Sequence, residues 1–156
     1  MRFLRLAAGA AFLVACMGQT ASATTQNVVF NGVITATCTL VVVTSGTMTV
    51  SPDLQSLSSH NSGGLPGTVT LTTTGGVSLS VDPVTTVTAP GADTTSTTWT
   101  PTYSSAGAHT VAETGSTTSL SAPGASLVSV NLVGTKGGSN RFAAGSYQAT
   151  VTVRCE

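Results

Sequence analysis

The chain has 156 residues, of which only five are basic and five acidic. Arg2 and Arg5 sit at the extreme N-terminus, leaving Lys136, Arg141 and Arg154 against Asp53, Asp82, Asp93, Glu113 and Glu156. Three scattered cations exclude a nucleic-acid-binding face, which needs dense positive charge to displace counterions, and 40% apolar content at zero net charge argues against disorder.

The first 23 residues read as an export leader. Met1–Arg5 is a short basic region, Leu6–Met17 is largely apolar, and Ala21-Ser22-Ala23 has the small-residue spacing of a cleavage site. Cleavage after Ala23 would start the exported chain at Thr24. Leu13-Val14-Ala15-Cys16 also resembles a lipobox, the alternative being a lipid-anchored chain that begins at Cys16. No segment reaches the roughly 18 apolar residues of a membrane span, so no transmembrane segment is expected. Once Cys16 is removed, Cys38 and Cys155 remain, and in an oxidising compartment an even pair reads as a disulfide. A metal site would need two further ligands, and His60 and His109 form no cluster with the cysteines.

Thr, Ser and Val dominate the exported part. β-Branched side chains crowd a helix but fit a pleated strand, which predicts an all-β fold. The run Val28–Val43 alternates at period two, with Phe30, Ile34, Ala36, Cys38, Leu40 and Val42 on one parity. It is too long for one ordinary strand and should divide near Cys38. Thr47–Val50 reads as a short strand stopped by Pro52, and Leu54–Gly67 as a loop. Val69, Leu71 and Thr73 alternate before Gly75-Gly76, and Val77, Leu79 and Val81 after it. Two glycines between alternating runs predict a hairpin. Val84–Thr98 suggests an edge strand and an exposed loop, and Trp99–Tyr103 a strand that Pro101 confines to an edge or bulge. One strand is expected around Val111 and another through Val128, Val130 and Leu132, followed by a turn over Gly134–Asn140. The final run, Ser146–Glu156, places Tyr147, Ala149, Val151, Val153 and Cys155 on one face. Seven to eight short strands without a helix point to a β-sandwich.

Candidate chemistry is sparse. The carboxylates lie in separate loops or at the terminus, there is no G-x-S-x-G elbow, and no calcium-loop spacing joins Asp53, Asp82 and Asp93. His60, beside Ser59, and His109 sit in polar stretches where a solvated ring is the expectation. Trp99 and Tyr103 read as packing residues rather than a sugar-stacking platform. No catalytic, cofactor or metal site is expected, and the chain does not read as an enzyme.

The two ends carry a resemblance. Thr24-Thr25-Gln26-Asn27-Val28-Val29-Phe30-Asn31-Gly32-Val33-Ile34-Thr35-Ala36-Thr37-Cys38-Thr39-Leu40 resembles the N-terminus of chaperone–usher pilins, closest to the archaic branch that shares the spore coat protein U domain. Gly145–Glu156 resembles the glycine-then-alternating last strand of such subunits. The resemblance implies an immunoglobulin-like sandwich that lacks its final strand, completed by a strand donated from another subunit. It implies a leader over 1–23, a donor segment over 24–37 and a sandwich over 38–156. Val28, Phe30, Gly32 and Ile34 would be the donated positions, and Tyr147, Ala149, Val151 and Val153 would line the acceptor groove. The implied partners are copies of the chain or sister subunits, a periplasmic chaperone and an outer-membrane usher, with the cell surface as destination. The alternative is an exported monomeric or lipid-anchored sandwich that acts as a binding or adhesin module.

Overall fold

The structure, a computed structural model, describes residues 22–156. The basic region, the apolar run and Cys16 lie outside the described residues. The chain divides into two units, Met1–Gly32 and Val33–Glu156. In the first, residues 22–32 carry no secondary structure, and Phe30 is 91% exposed.

The second unit is all-β. Its strands are β1 (Cys38–Thr44), β2 (Thr49–Val50), β3 (Ser56–Ser58), β4 (Gly67–Thr73), β5 (Val77–Val81), β6 (Thr86–Thr88), β7 (Thr97–Gly107), β8 (Val111–Thr114), β9 (Thr118–Leu120), β10 (Gly124–Lys136), β11 (Gln148–Thr150) and β12 (Val153–Cys155). The long strand β10 organises the larger sheet. One of its edges pairs β4 and β3, the other pairs β7, and β1, β2 and β8 lie farther out. The opposing strands are β9, β5 and β12, extended by the β6–β11 pair; all pairings are antiparallel. The result is a β-sandwich.

Alternation explains the core. Val69, Leu71 and Thr73 of β4, Val77, Leu79 and Val81 of β5, and Val128 of β10 are all buried, while their neighbours in sequence point away. Each fully buried Val or Leu contributes about 1.5–3 kcal/mol of transfer free energy. Tyr103 of β7 is fully buried and spans the two layers. Its hydroxyl lies 2.8 Å from Leu79 O, 2.9 Å from Ser116 O and 2.8 Å from Thr118 Oγ1.

Four local expectations are corrected. The runs on either side of Gly75-Gly76 form no hairpin, since β4 pairs β1 and β10 whereas β5 pairs β12 and β9. The reason is parity. A two-residue loop would pair odd-numbered positions with even ones, so the apolar sets of the two strands would face opposite sides of one sheet. Sending the strands to different sheets lets both sets face the core. Gly75 and Gly76, at φ 86° and 72°, make that corner in a backbone region that other residues rarely enter. Gly134 is not in a turn but inside β10, where the Trp99 ring covers it; a Cβ there would lie 2.5 Å from that ring. The stretch Leu54–Gly67 holds β3, whose Leu57 and Ser58 are buried against β10. His109 is buried rather than solvated: its backbone N–H donates to Ser126 Oγ and its Nε2 to Ala122 O.

Candidate functional site: a groove between two sheet edges

Among the described residues, one side of the sandwich carries two free sheet edges. β1, among the described residues, pairs only with β4, so its outer edge has no strand partner there. Among the same residues β12 pairs only with β5, and β11 only with β6, so the last strand also has an edge without a strand partner. Between these edges lies an open depression of about 500 Å³. Leu40, Val42 and Thr44 form one flank, Gln148, Ala149, Thr150, Val151 and Val153 the other, and Val69, Val130 and Leu132 lie at its base.

The register places inward-facing residues along the β1 flank. Leu40 stands opposite Leu71 and Val42 opposite Val69, both inward-facing core positions. Val42 is nevertheless 72% exposed. An inward valine at a sheet edge stays exposed only when nothing packs across from it. The main-chain edges and apolar base together have the features of a β-augmentation site, in which an added strand gains main-chain hydrogen bonds and buries alternate side chains.

The two ends of the groove differ. At one end Cys38 and Cys155 form a disulfide that brings β1 and β12 to a Cα–Cα distance of 6.2 Å. At the other, beyond β1, a second depression of about 330 Å³ shares Gly46, Thr47, Met48, Gln148 and Ala149 with the first and extends to Gly145 and Tyr147. Among the described residues, no β-bridge joins Thr44–Met48 to Gly145–Thr150. Among the described residues, no charged side chain lines either depression.

The expected acceptor residues divide between these parts. Ala149, Val151 and Val153 line the larger groove and Tyr147 the smaller one. Val28 and Ile34 are 74% and 87% exposed, and a Cβ added at Gly32 would meet nothing within 4 Å. Within the second unit, the chain preceding β1 is held at the Gly75 corner. Thr37 N donates to Thr74 Oγ1, Thr37 O accepts from Thr73 Oγ1 and Thr74 N, and Thr35 O accepts from Thr74 Oγ1. Sequence reasoning placed Leu40 and Val42 on the parity of Cys38 without assigning them a role. Their signal was an inward parity on the first strand of the body.

A buried charged cluster stands beside the open end. Lys136 Nζ lies 2.6 Å from Asp93 Oδ1 and donates to Thr95 O, with both side chains almost wholly buried. Tyr147 donates to Asp93 Oδ2 at 2.7 Å and packs edge-on against Phe142, whose ring centroid is 4.9 Å from Lys136 Nζ. Hydrogen bonds from Lys136 and then Tyr147 hold the Asp93 carboxyl down at about 2. Sequence reasoning missed this cluster, because 43 residues separate its two charges.

The remaining polar residues near His60 form pairwise contacts. Ser59 Oγ donates to Asn131 Oδ1 rather than facing His60. The His60 ring meets Glu113 at 2.9 Å. The Thr102 hydroxyl, with His60 beside it, holds the Glu113 carboxyl below its ordinary range. No group of three or more metal-ligating side chains occurs among the described residues. Comparison with protein-family models, curated proteins and solved structures returns no match.

Proposed function

We propose that this protein is a structural subunit of an extracellular fibre or surface coat, joined to its neighbours by an N-terminal strand donated into the groove between β1 and β11–β12. The observation that carries this reading is the inward-facing Val42, 72% exposed at a free sheet edge above an apolar base. The exposed stretch Val28–Ile34 supplies a matching occupant. It is extended in its pattern, carries no charge, and places Val28, Phe30 and Ile34 on one parity with Gly32 between them. Before assembly, a periplasmic chaperone would cover the same groove and an outer-membrane usher would exchange it for the next subunit. The role is mechanical rather than enzymatic, and export is in keeping with the disulfide.

Phe30→Asp tests the reading. A Phe side chain contributes about 1.5–3 kcal/mol on burial, and a carboxylate in its place adds a desolvation cost. The exported wild-type chain should give a ladder of SDS-resistant species, and the variant monomer alone. Because Phe30 is exposed, the variant should keep the thermal unfolding midpoint of the wild-type monomer. A variant that ladders like the wild type removes Phe30 from the contact. A wild-type chain that stays monomeric at high concentration favours the single binding module instead.

A further inference from the structure

We propose that Asn31 and Gly32 form a self-modifying site, at which an unassembled chain converts to isoaspartate and loses its capacity to donate a strand. The consequence rests on the fibre reading, whereas the chemistry belongs to the segment itself.

Of the five asparagines in the chain, only Asn31 precedes a glycine; the others precede Val28, Ser62, Leu132 and Arg141. The main-chain nitrogen after an asparagine attacks the side-chain amide carbon, expels ammonia and closes a succinimide ring. A side chain on the attacking residue crowds that nitrogen and narrows its backbone freedom, and glycine has none. Water then opens the ring at either carbonyl, so ammonia leaves, water enters and no oxidant is needed. Opening at one carbonyl gives aspartate. Opening at the other gives isoaspartate, whose main chain runs through the former side chain.

Ring closure also needs a backbone free to bring the two atoms together. Residues 22–32 carry no secondary structure, Asn31 is exposed, and a Cβ at Gly32 would meet nothing within 4 Å. Asn61 and Asn131 are instead held in the sandwich, where their side-chain amides donate to Thr49 O and to Glu113 Oε1. Donation would lock the Asn31–Gly32 pair as well. A strand lying between two others has its N–H groups committed to the ladder, and Gly32 N could attack only after local opening. Isoaspartate defeats donation by geometry. It adds one carbon to the main chain between Phe30 and Ile34, so the two side chains no longer meet the groove in phase. Aspartate does not, because Asn31 has the parity opposite Phe30 and would point away from the groove.

The test ages the wild-type protein, held monomeric by dilution, at mildly alkaline pH. Peptide mapping should find the amide-to-acid mass change at Asn31 while Asn27 keeps its amide, and an isoaspartate-specific methyltransferase should label the same peptide. On reconcentration, the SDS-resistant ladder should shrink in proportion to the isoaspartate content. Ladder species isolated first and aged alike should keep Asn31 intact. Asn31→Gln, whose longer side chain closes its ring far more slowly, should ladder after ageing as it does fresh, and fresh Asn31→Asp should ladder like the wild type. Conversion of Asn27 as fast as Asn31 would overturn the site, and an isoaspartate-bearing chain that ladders fully would overturn its consequence, both leaving the fibre reading intact. Conversion within the ladder as fast as in the monomer would overturn protection by assembly. A fresh wild-type chain that never ladders would overturn the fibre reading and the loss of donation with it, while mapping still reads the chemistry at Asn31.

Discussion

Loss of the Cys38–Cys155 disulfide is expected to destabilise the sandwich by about 4–5 kcal/mol. The bond closes a loop across a sequence separation of 117 residues, nearly the whole sandwich, so its absence greatly enlarges the unfolded ensemble. Total domain stability is about 5–15 kcal/mol, which makes this a large fraction. For a domain of this size the unfolding midpoint should fall by roughly 10–25 °C. Cys38→Ala/Cys155→Ala is the preferred variant, and calorimetry of the monomeric protein the measurement. A second consequence follows from position. The bond joins the first and last strands, which among the described residues no hydrogen-bonded strand otherwise connects, so unfolding of the reduced chain should begin at these edges. Hydrogen exchange should accelerate first in β1 and β12, ahead of β4 and β10. A midpoint within 3 °C of the oxidised protein would show that the sandwich closes without the bond.

Much of this fold was legible in the sequence, because one period governs it. Alternation identified Val69, Leu71, Val77, Leu79, Val81, Val128, Val130 and Leu132, and all but the half-buried Val130 are buried. The even cysteine count in a chain with a leader-like start predicted the bond that joins the two ends. What alternation does not encode is which strand pairs with which. The glycine pair after Thr73 has hairpin chemistry, and only the parity of the flanking residues shows that the strands belong to opposite layers. Polar residues were hardest to place. Ser59 and His109 lie in stretches read as polar loop, yet each is buried, Ser59 Oγ donating to Asn131 Oδ1 and the His109 ring hydrogen-bonded to Ser126 Oγ and Ala122 O. The groove was half visible. The last strand's inward residues were named, but the opposite flank and the apolar base become a site only once β1 and β12 are seen to be edges.

Replacing Lys136 with Met should cost about 3–5 kcal/mol, since it leaves the Asp93 carboxylate buried without its cation. Lys136 Nζ is enclosed by Asp93, Thr95 O and the Phe142 ring, and its side chain has no exposed surface. The double variant Lys136→Met/Asp93→Leu should recover most of that loss, because two apolar groups of similar volume need no compensating charge. The pair also predicts an acid limb. Asp93 is depressed to about 2 in the folded chain, from an ordinary 3.8. Between these values the unfolded chain binds the extra proton, so stability should fall as pH drops from about 4 toward 2, and be fully present above that window. Asp93→Asn should flatten this limb in urea titrations at stepped pH, even though it lowers stability at pH 7. The effect should also reach the groove. Asp93 holds the Tyr147 hydroxyl at 2.7 Å, and Tyr147 lines the depression at the open end, just before β11. When that tie is loosened, the free edge of β11 should exchange amide hydrogens faster at Gln148–Thr150, with β12 unchanged behind its disulfide. Acceleration spread evenly over β11 and β12 would mean that the cluster stabilises the sandwich without shaping the groove mouth.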